Sequence, residues 1–434
     1  MNRSHDDAAQ AAVAPDPDVA AWRERVRSVA AACADLATET LSPSLALGRR
    51  LAAPVIAAED LPPGPVSAMD GFALRLADLP DDADSPLPVV TDLPAARGGV
   101  PELAVGTAAR IMTGAPVPAG ADTVIEVERT DADPHARAPR SVRVLDRERL
   151  AAGRHIRSAG DEVPRGSVLA EPDDVIGPGL LALLTTLGVR AVDVRRPLRA
   201  GVLVTGDELV DHDDAEAAAE VGAVRESNGT MLAAALADHG ATAEVIRCGD
   251  DPAAFCAQLD ALAARCDLVL TSGGIGHGAY DVVKAALGPR GRGTSDFAHV
   301  RLRPGGPQGV GLVDVEGRGV PVIHLPGTPV GALVGFHLFV RPLLTGGDAT
   351  AAAPVRAVII TAPAEAAAGT ARSAGRGHGA LRVGPGRLAR TADGDLAVEI
   401  VAGHRLAPYG RADCLVLMEG PRAGVGDAVR VLPL

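Results

Sequence analysis

Apolar and polar positions change period several times along the 434-residue chain. Between Ala20 and Ala53 the period is helical: Val26, Val29, Ala30 and Cys33 form one stripe, and a second short helix is expected over Leu45–Ala52. Pro62-Pro63-Gly64-Pro65 then breaks regular structure. From Pro86 to Leu145 the apolar runs are short and β-like (PLPVV, AARIM, DTVIEVE, SVRVL), with Pro and Gly between them, which predicts a small β domain. Asp174–Leu187 reads as a helix, with Val175, Leu180, Leu181, Leu184 and Leu187 as its apolar positions.

The alternation from Leu198 to Pro342 is the clearest. An apolar strand ends at Thr205-Gly206-Asp207-Glu208, and a helix from Asn228 to His239 is closed by Gly240. The strand ATAEVIRC precedes a helix capped by Asp251 with Pro252 at its first position. Leu268-Val269-Leu270 then runs into Ser272-Gly273-Gly274 and a helix opening at Asp281. Strands over His299–Gly311 and Val320–Leu325 and a helix from Thr328-Pro329 complete the pattern. Such β-α-β-α-β order predicts a doubly wound parallel sheet. Val355–Leu434 returns to β character, with Asp393-Gly394 as a hairpin turn, and reads as a small barrel or sandwich.

Composition narrows the function. At 47% hydrophobic and 22% charged the chain is globular and too long for one core. Its net charge of −13, with no long basic run, argues against nucleic acid as the main partner. Residues 1–19 lack an apolar signal core and read as a disordered lead-in, and no window is long and apolar enough for a membrane span. Cys33, Cys248, Cys256, Cys266 and Cys414 form no CxxC pair, so free thiols in a reducing cytoplasm are expected.

Ligands of an open parallel sheet bind outside the carboxyl ends of its strands. Three loops belong there: Thr205–Glu208, Thr271–Gly278 and Pro326–Pro329. Glycines at Gly273 and Gly274 let backbone N–H groups converge on an oxyanion, aided by the helix that follows; an ordinary strand-to-helix turn accounts for the same glycines. Clustered acids (Asp207, Glu208, Asp281) beside an anion cradle make sense if magnesium bridges them to phosphate; acids at a helix start account for Asp207 and Glu208 equally. GxGxxG is out of register and a Walker lysine is absent, while His277 and His299 are lone histidines.

The ordered segments SAMDGFAL, RIMTGAPVPAGADTVIEVE, VLVTGDEL, ESNGTMLAAAL, DLVLTSGG with Asp281 and Lys284, RPGGPQGVG and LPGTPVGAL are similar to those of the molybdopterin molybdenumtransferase family, related to the E domain of gephyrin. The resemblance runs from about residue 20 to the C-terminus. It implies a homodimer of four-domain chains: a two-part domain over 20–65 and 150–197, an inserted β domain over 66–149, a molybdopterin-binding α/β domain over 198–349 and a C-terminal β domain over 350–434. It implies magnesium-dependent insertion of molybdenum from molybdate into adenylated molybdopterin, with release of AMP, and contact with other cofactor-synthesis proteins and apo-molybdoenzymes.

By motif, the resemblance assigns catalysis to Asp70, Thr113, Glu162, Glu208, Asp250, Asp281 and Arg303. Asp70 and Thr113 would come from the β domain of one subunit and complete a cleft on the other. Substrate would be held by Thr205, Gly206, Ser272, Gly273, Gly274, His299, Pro326, Gly327 and Thr328, and metal by Asp207, Glu208 and Asp281. The chain departs from the family at Gly306 and His299, where lysines are usual, at Gly276, Ala279 and Thr328, where Ser, Glu and Asn are frequent, at Glu226, where Asp is usual, and at Val66, where Asn or Arg often stands. Two other functions use the same α/β domain: a non-catalytic pterin carrier and a nucleotidyl transferase or hydrolase.

Overall fold

A computed structural model describes residues 18–31, 36–82, 84–148, 150–276, 281–345, 354–363, 380–419 and 423–434. Residues 1–17 of the lead-in, Cys33, His277, Gly278 and Ala279 lie outside the described residues, whereas Asp18 and Val19 at its end begin a helix. The chain forms two compact units, Thr38–Arg195 and a second comprising Met1–Ala37 with Arg196–Leu434.

In the first unit, Thr38–Leu41 pairs antiparallel with Val192–Arg195, and Val55–Ile56 with Val168–Ala170. Leu51, Ile176, Leu184, Val192 and Val194 share one core, so segments before and after the β insertion fold together. The helix expected over Leu45–Ala52 is replaced by turns, with Leu51 bridged to Val194: the apolar Leu51 is buried by pairing rather than by a helical face. The insertion is a five-stranded sheet in the order Thr123–Glu126, Gly71–Leu74, Ala108–Ile111, Leu87–Leu93, Ser141–Val142. Its faces bury Phe72, Leu74 and Ile125 on one side and Ala73, Ile111 and Val124 on the other, the period-two alternation of a strand covered on both faces.

In the second unit, α1 (Val19–Val29) is capped by Asp18, whose side chain accepts from Ala21 N at 2.8 Å. It buries Trp22 and Val26 in the core of the α/β domain. This helix therefore groups with residues 196–434, not with the two-part domain in which its position in the chain would place it.

The α/β elements are β1 (Arg199–Thr205), α2 (Asn228–Ala237), β2 (Thr242–Cys248), α3 (Pro252–Arg265), β3 (Leu268–Ser272), α4 (Val282–Leu287), β4 (Ser295–His299), β5 (Pro307–Val315), β6 (Arg318–Leu325) and α5 (Pro329–Gly335). The sheet order is β2-β1-β3-β6-β5-β4. β2, β1, β3 and β6 are mutually parallel, β5 runs against them, and β4, antiparallel to β5, returns to their direction, so the expected parallel sheet is mixed at one edge. The short Glu316-Gly317 link, with Gly317 at φ +84°, forces that hairpin reversal. Alternate residues of β1 face opposite layers: Val202 and Val204 join Leu232, Leu236 and Val334, whereas Leu203 joins Leu259, Leu262 and Val283. Helices thus cover both faces, as in a doubly wound fold.

The C-terminal strands Val355–Thr361, Leu381–Arg390, Leu396–Ile400, Cys414–Met418 and Ala428–Pro433 close on themselves, because Leu381–Arg390 pairs with both Leu396–Ile400 and Cys414–Met418. The Asp393-Gly394 turn takes Gly394 to φ +90°. The two-residue strand Leu302–Arg303 adds to this barrel in parallel with Leu381–Arg382. Among the described residues no helix is long and apolar enough to cross a membrane.

Candidate active site

The chain leaves β1, travels to β2 on one side, and returns to β3 on the other. The switch point of the sheet therefore lies between β1 and β3. A cavity of about 650 Å³ opens there, walled by the loops after β1, β3 and β6, the segment leading into α2, and Gly305 and Pro307.

Glycine sets how close these loops come. Gly273 sits at φ +103°, and a Cβ on it would lie 2.6 Å from the Thr205 carbonyl oxygen. A Cβ on Gly327 would lie 3.2 Å from Gly273 Cα. Three strand ends thus meet almost backbone to backbone. One amide locks them: Asn228 Nδ2 donates to Ser272 Oγ at 2.9 Å and to Gly327 O at 2.8 Å, and Ser272 Oγ donates to Pro326 O at 3.1 Å. Asn228, the first residue of α2, is 6% exposed.

The glycine turn is a narrower cradle than its sequence implies. Gly273 N–H donates to Leu325 O at 3.2 Å and Gly276 N–H to Asp281 Oδ1 at 2.9 Å, so both are committed within the protein. α4 has only six residues, which leaves little helix dipole to add. Lys284 Nζ reaches the Gly276 carbonyl at 3.3 Å.

Thr205, Gly206, Ser272, Gly273, Gly274, Pro326, Gly327 and Thr328 all line the cavity, as do Glu208, Asp250 and Asp281. The Thr205 hydroxyl lies 3.0 Å from Asp250 Oδ1, fixing that carboxylate. Asp207 is different. Its Oδ1 accepts from Asp250 N at 3.0 Å, and its own N–H points to Asp250 Oδ2 at 3.4 Å. It braces one loop against the next and does not line the cavity. Among the described residues no three His, Cys, Asp or Glu side chains gather as a metal cage. His299 and Arg303 also lie outside the lining. The His299 ring covers Gly306, whose Cβ would sit 2.7 Å from its Nε2. The two departures from the family pattern therefore touch, and a side chain at 306 would occupy the space of the imidazole.

Glu226 and Asn228 also line the cavity, although the sequence reading gave neither a place in the site. Glu226 Oε1 accepts from Gly229 N at 2.8 Å, which reads locally as the cap of a helix start. Their adjacency to a strand-end loop in the ESN segment was the one signal available.

Asp70, Thr113 and Glu162 belong to the Thr38–Arg195 unit. The structure joins the first two: Asp70 Oδ1 accepts from Thr113 N at 2.6 Å and Thr113 Oγ1 at 2.7 Å. The Thr113 backbone N–H, then its hydroxyl, hold the Asp70 carboxyl below its ordinary range. Gly71, beside Asp70, is a close approach of two strands, because a Cβ there would strike Ile125 O at 1.9 Å. Glu162 is exposed and paired with Arg157 at 2.9 Å.

Comparison with known proteins separates two regions of the chain, with α1 falling in the first. Residues 19–188 match a family described as the MoeA N-terminal region (domain I and II), and residues 201–346 a probable molybdopterin binding domain. Molybdopterin molybdenumtransferase 2 of Mycobacterium tuberculosis is 40% identical over 69% of this chain and 72% of its own length. The molybdopterin molybdenumtransferase of Haemophilus influenzae is 30% identical over 91% of this chain and 94% of its own. The crystal structure of a molybdopterin biosynthesis moeA protein from Pyrococcus horikoshii OT3 superposes with a TM-score of 0.71 at 22% identity, covering 94% of this chain and 99% of that one.

Proposed function

The chain belongs to the molybdopterin molybdenumtransferase family, enzymes of molybdenum cofactor biosynthesis, and from that membership we propose that its cavity takes adenylated molybdopterin and molybdate, inserts molybdenum and releases AMP. The observation that carries this reading is the switch-point cavity, where glycine turns and carboxylates face the same space.

The Ser272–Gly274 turn and the Gly327-Thr328 segment would seat the phosphates, with the Asn228 amide holding both loops in place. Asp250, fixed by Thr205, would orient a water toward the phosphoanhydride. The water oxygen joins one phosphorus, the bridging P–O bond breaks, AMP leaves, and the water's proton passes through a carboxylate to solvent.

The donor set suits magnesium, which takes one or two carboxylates and completes its shell with phosphate and water oxygens. Glu208 and Asp281 would hold it together with the substrate. Bound there, it would offset phosphate charge while the anhydride breaks. Asp207, engaged by Asp250 N–H, is better suited to bracing these loops.

Asp70 and Thr113 we assign to the same reaction, contributed by the partner subunit of a homodimer. We keep the domain boundaries at 65/66, 149/150, 197/198 and 349/350, with α1 assigned to the α/β domain.

The test is reconstitution of purified protein with adenylated molybdopterin, molybdate and magnesium, following AMP release and activation of an apo-molybdoenzyme. Both signals are expected, and both are expected to vanish in Asp281→Ala. Tight pterin binding with neither signal in the wild type would replace the transferase reading by a carrier. AMP release without molybdenum transfer would leave only the hydrolytic half.

A further inference from the structure

The loop that presents Asp70 is held at both ends. On one side Ala68 N–H donates to the His155 carbonyl at 2.8 Å, and on the other the Asp70 carbonyl accepts from Val127 N at 3.1 Å. The two holding residues come from distant segments. His155 lies in the strap that returns from the β insertion, where Ile156–Arg157 pairs with Val66–Ser67. Val127 follows directly on the strand Thr123–Glu126, in which Glu126 stands opposite Gly71. All of these residues belong to the Thr38–Arg195 unit.

The side chains beside the two holds meet. Glu126 Oε1 accepts from Arg154 Nη2 at 2.9 Å and lies 2.7 Å from His155 Nε2. The first is an aligned hydrogen bond; the second is a close electrostatic contact without that alignment. The Arg154 carbonyl also accepts from Val124 N at 3.0 Å, so backbone and side chain fasten the strap to the same strand. A ring closes: Ala68 to His155, His155 to Glu126, Glu126 through Val127 to Asp70, and Asp70 through Met69 back to Ala68.

Three features set this ring apart from a surface ion pair. Glu126, Arg154 and His155 expose only 14%, 24% and 24% of their side chains, so solvent screens their charges little. Burial pushes the Glu126 carboxyl up, but a backbone hydrogen bond, then Arg154 and His155, outweigh it and hold the group down at about 2. His155 sits at φ +53°, a left-handed conformation that a residue with a Cβ rarely takes. In that conformation its carbonyl meets Ala68 N–H while its imidazole meets Glu126. Strain of this kind persists where the surroundings over-determine it, and it clusters at working sites. What the ring encloses is the loop whose carboxylate Thr113 N and Oγ1 hold at 2.6 and 2.7 Å.

We propose that Glu126, His155 and Arg154 are positioning residues: together they clasp the two ends of the Asp70 loop and fix where its carboxylate stands. The consequence for turnover rests on the role proposed above for Asp70; the clasp itself does not.

Hydrogen exchange of the full chain, resolved by residue, tests the clasp. In Glu126→Ala the amides of Ala68 and Thr113 are expected to exchange about tenfold faster or more, while those of the neighbouring strand Ala108–Ile111 keep wild-type rates. Glu126→Gln, which keeps the shape and an acceptor for Arg154, is expected to fall between wild type and Glu126→Ala, and it serves if the alanine variant folds poorly. His155→Gly keeps the left-handed turn but loses the imidazole, and is expected to loosen the same two amides. Turnover is expected to follow them: kcat for AMP release falls about tenfold, while KM and the calorimetric affinity for AMP stay as in wild type, because the cavity is built by the other unit. Faster exchange throughout the insertion would make the cluster a packing element only. Unchanged exchange at Ala68 and Thr113 in folded Glu126→Ala or Glu126→Gln would mean that the ring restrains nothing. Either result overturns the proposal. Local loosening with full kcat would leave the clasp standing and remove Asp70 from the chemistry instead.

Discussion

Asn228 joins three stretches of chain with one side-chain amide. Its Nδ2 spans Ser272 Oγ and Gly327 O, and Ser272 relays the contact to Pro326 O. Replacing it by alanine removes two bonds and strips one buried and one part-buried acceptor of their donor. Asn228→Ala is expected to lose about 1–3 kcal/mol of stability, read from urea unfolding. Nucleotide affinity is expected to fall with it, because the turn and the Pro326–Thr328 loop are no longer held together. Unchanged unfolding would mean that the network is not formed in solution. None of this was legible in the sequence. An asparagine ahead of Thr-Met-Leu-Ala reads as a helix start, and a hydrogen bond across 99 residues leaves no local trace. Gly71 makes the same point. It is required because two strands distant in sequence pair so closely that a Cβ on it would lie 1.9 Å from Ile125 O. The partnership of Asp70 with Thr113 came from motif resemblance, since nothing in their spacing predicts it.

Elements were legible where a period was long and both faces were buried. β1, β3, α3 and the turn after β3 lie where apolar alternation placed them. The reversal of β5 did not show, because strand direction is decided by connection length rather than by composition. Besides the backbone ladders, His324 on β6 ties β3 to the edge strand β4 through side chains. Its ring nitrogens lie 2.8 Å from Thr271 Oγ1 on β3 and 3.0 Å from Ser295 Oγ on β4, and Phe297 stacks on it at 5.0 Å. Complete burial pushes its pKa down to about 3, so the folded protein holds it neutral. The unfolded chain takes up a proton there below about 6.5. The sign follows: the unfolded state binds more protons between the two values, so stability falls as pH drops from about 6.5 toward 3. The slope is about 1.4 kcal/mol per pH unit for this one group. His337, also lowered to about 3 by burial, then by Arg341 and His239, adds a second contribution of the same sign. His324→Asn is expected to be less stable at neutral pH yet to show a shallower loss between pH 6 and 4, by about one proton. Equal slopes in denaturant midpoints across that range would remove His324 from the acid sensitivity.

At the scale of the whole molecule, the candidate residues are split between two units. Asp70 and Thr113 are built into the Thr38–Arg195 unit, and Glu208, Asp250 and Asp281 into the unit that carries the cavity. The Asp70–Thr113 contact has a form suited to a working group: an exposed carboxylate, held ionised by a backbone N–H and a hydroxyl on a tight turn. A surface acid with no further duty gains little from such a mount. If two subunits share each site as proposed, the defects of Asp70→Ala and Asp281→Ala fall in different chains of the same site and can be separated by mixing. Co-expressing the two variants with different tags and purifying the doubly tagged dimer gives one site with both lesions and one with neither. AMP release is expected to be absent from each variant alone and to return in the mixed dimer. A mixed dimer as inactive as its parents would place Asp70 and Asp281 in a site of one chain. Full activity of Asp70→Ala by itself would remove Asp70 from the chemistry and leave the α/β cavity to act alone, as a nucleotide hydrolase would.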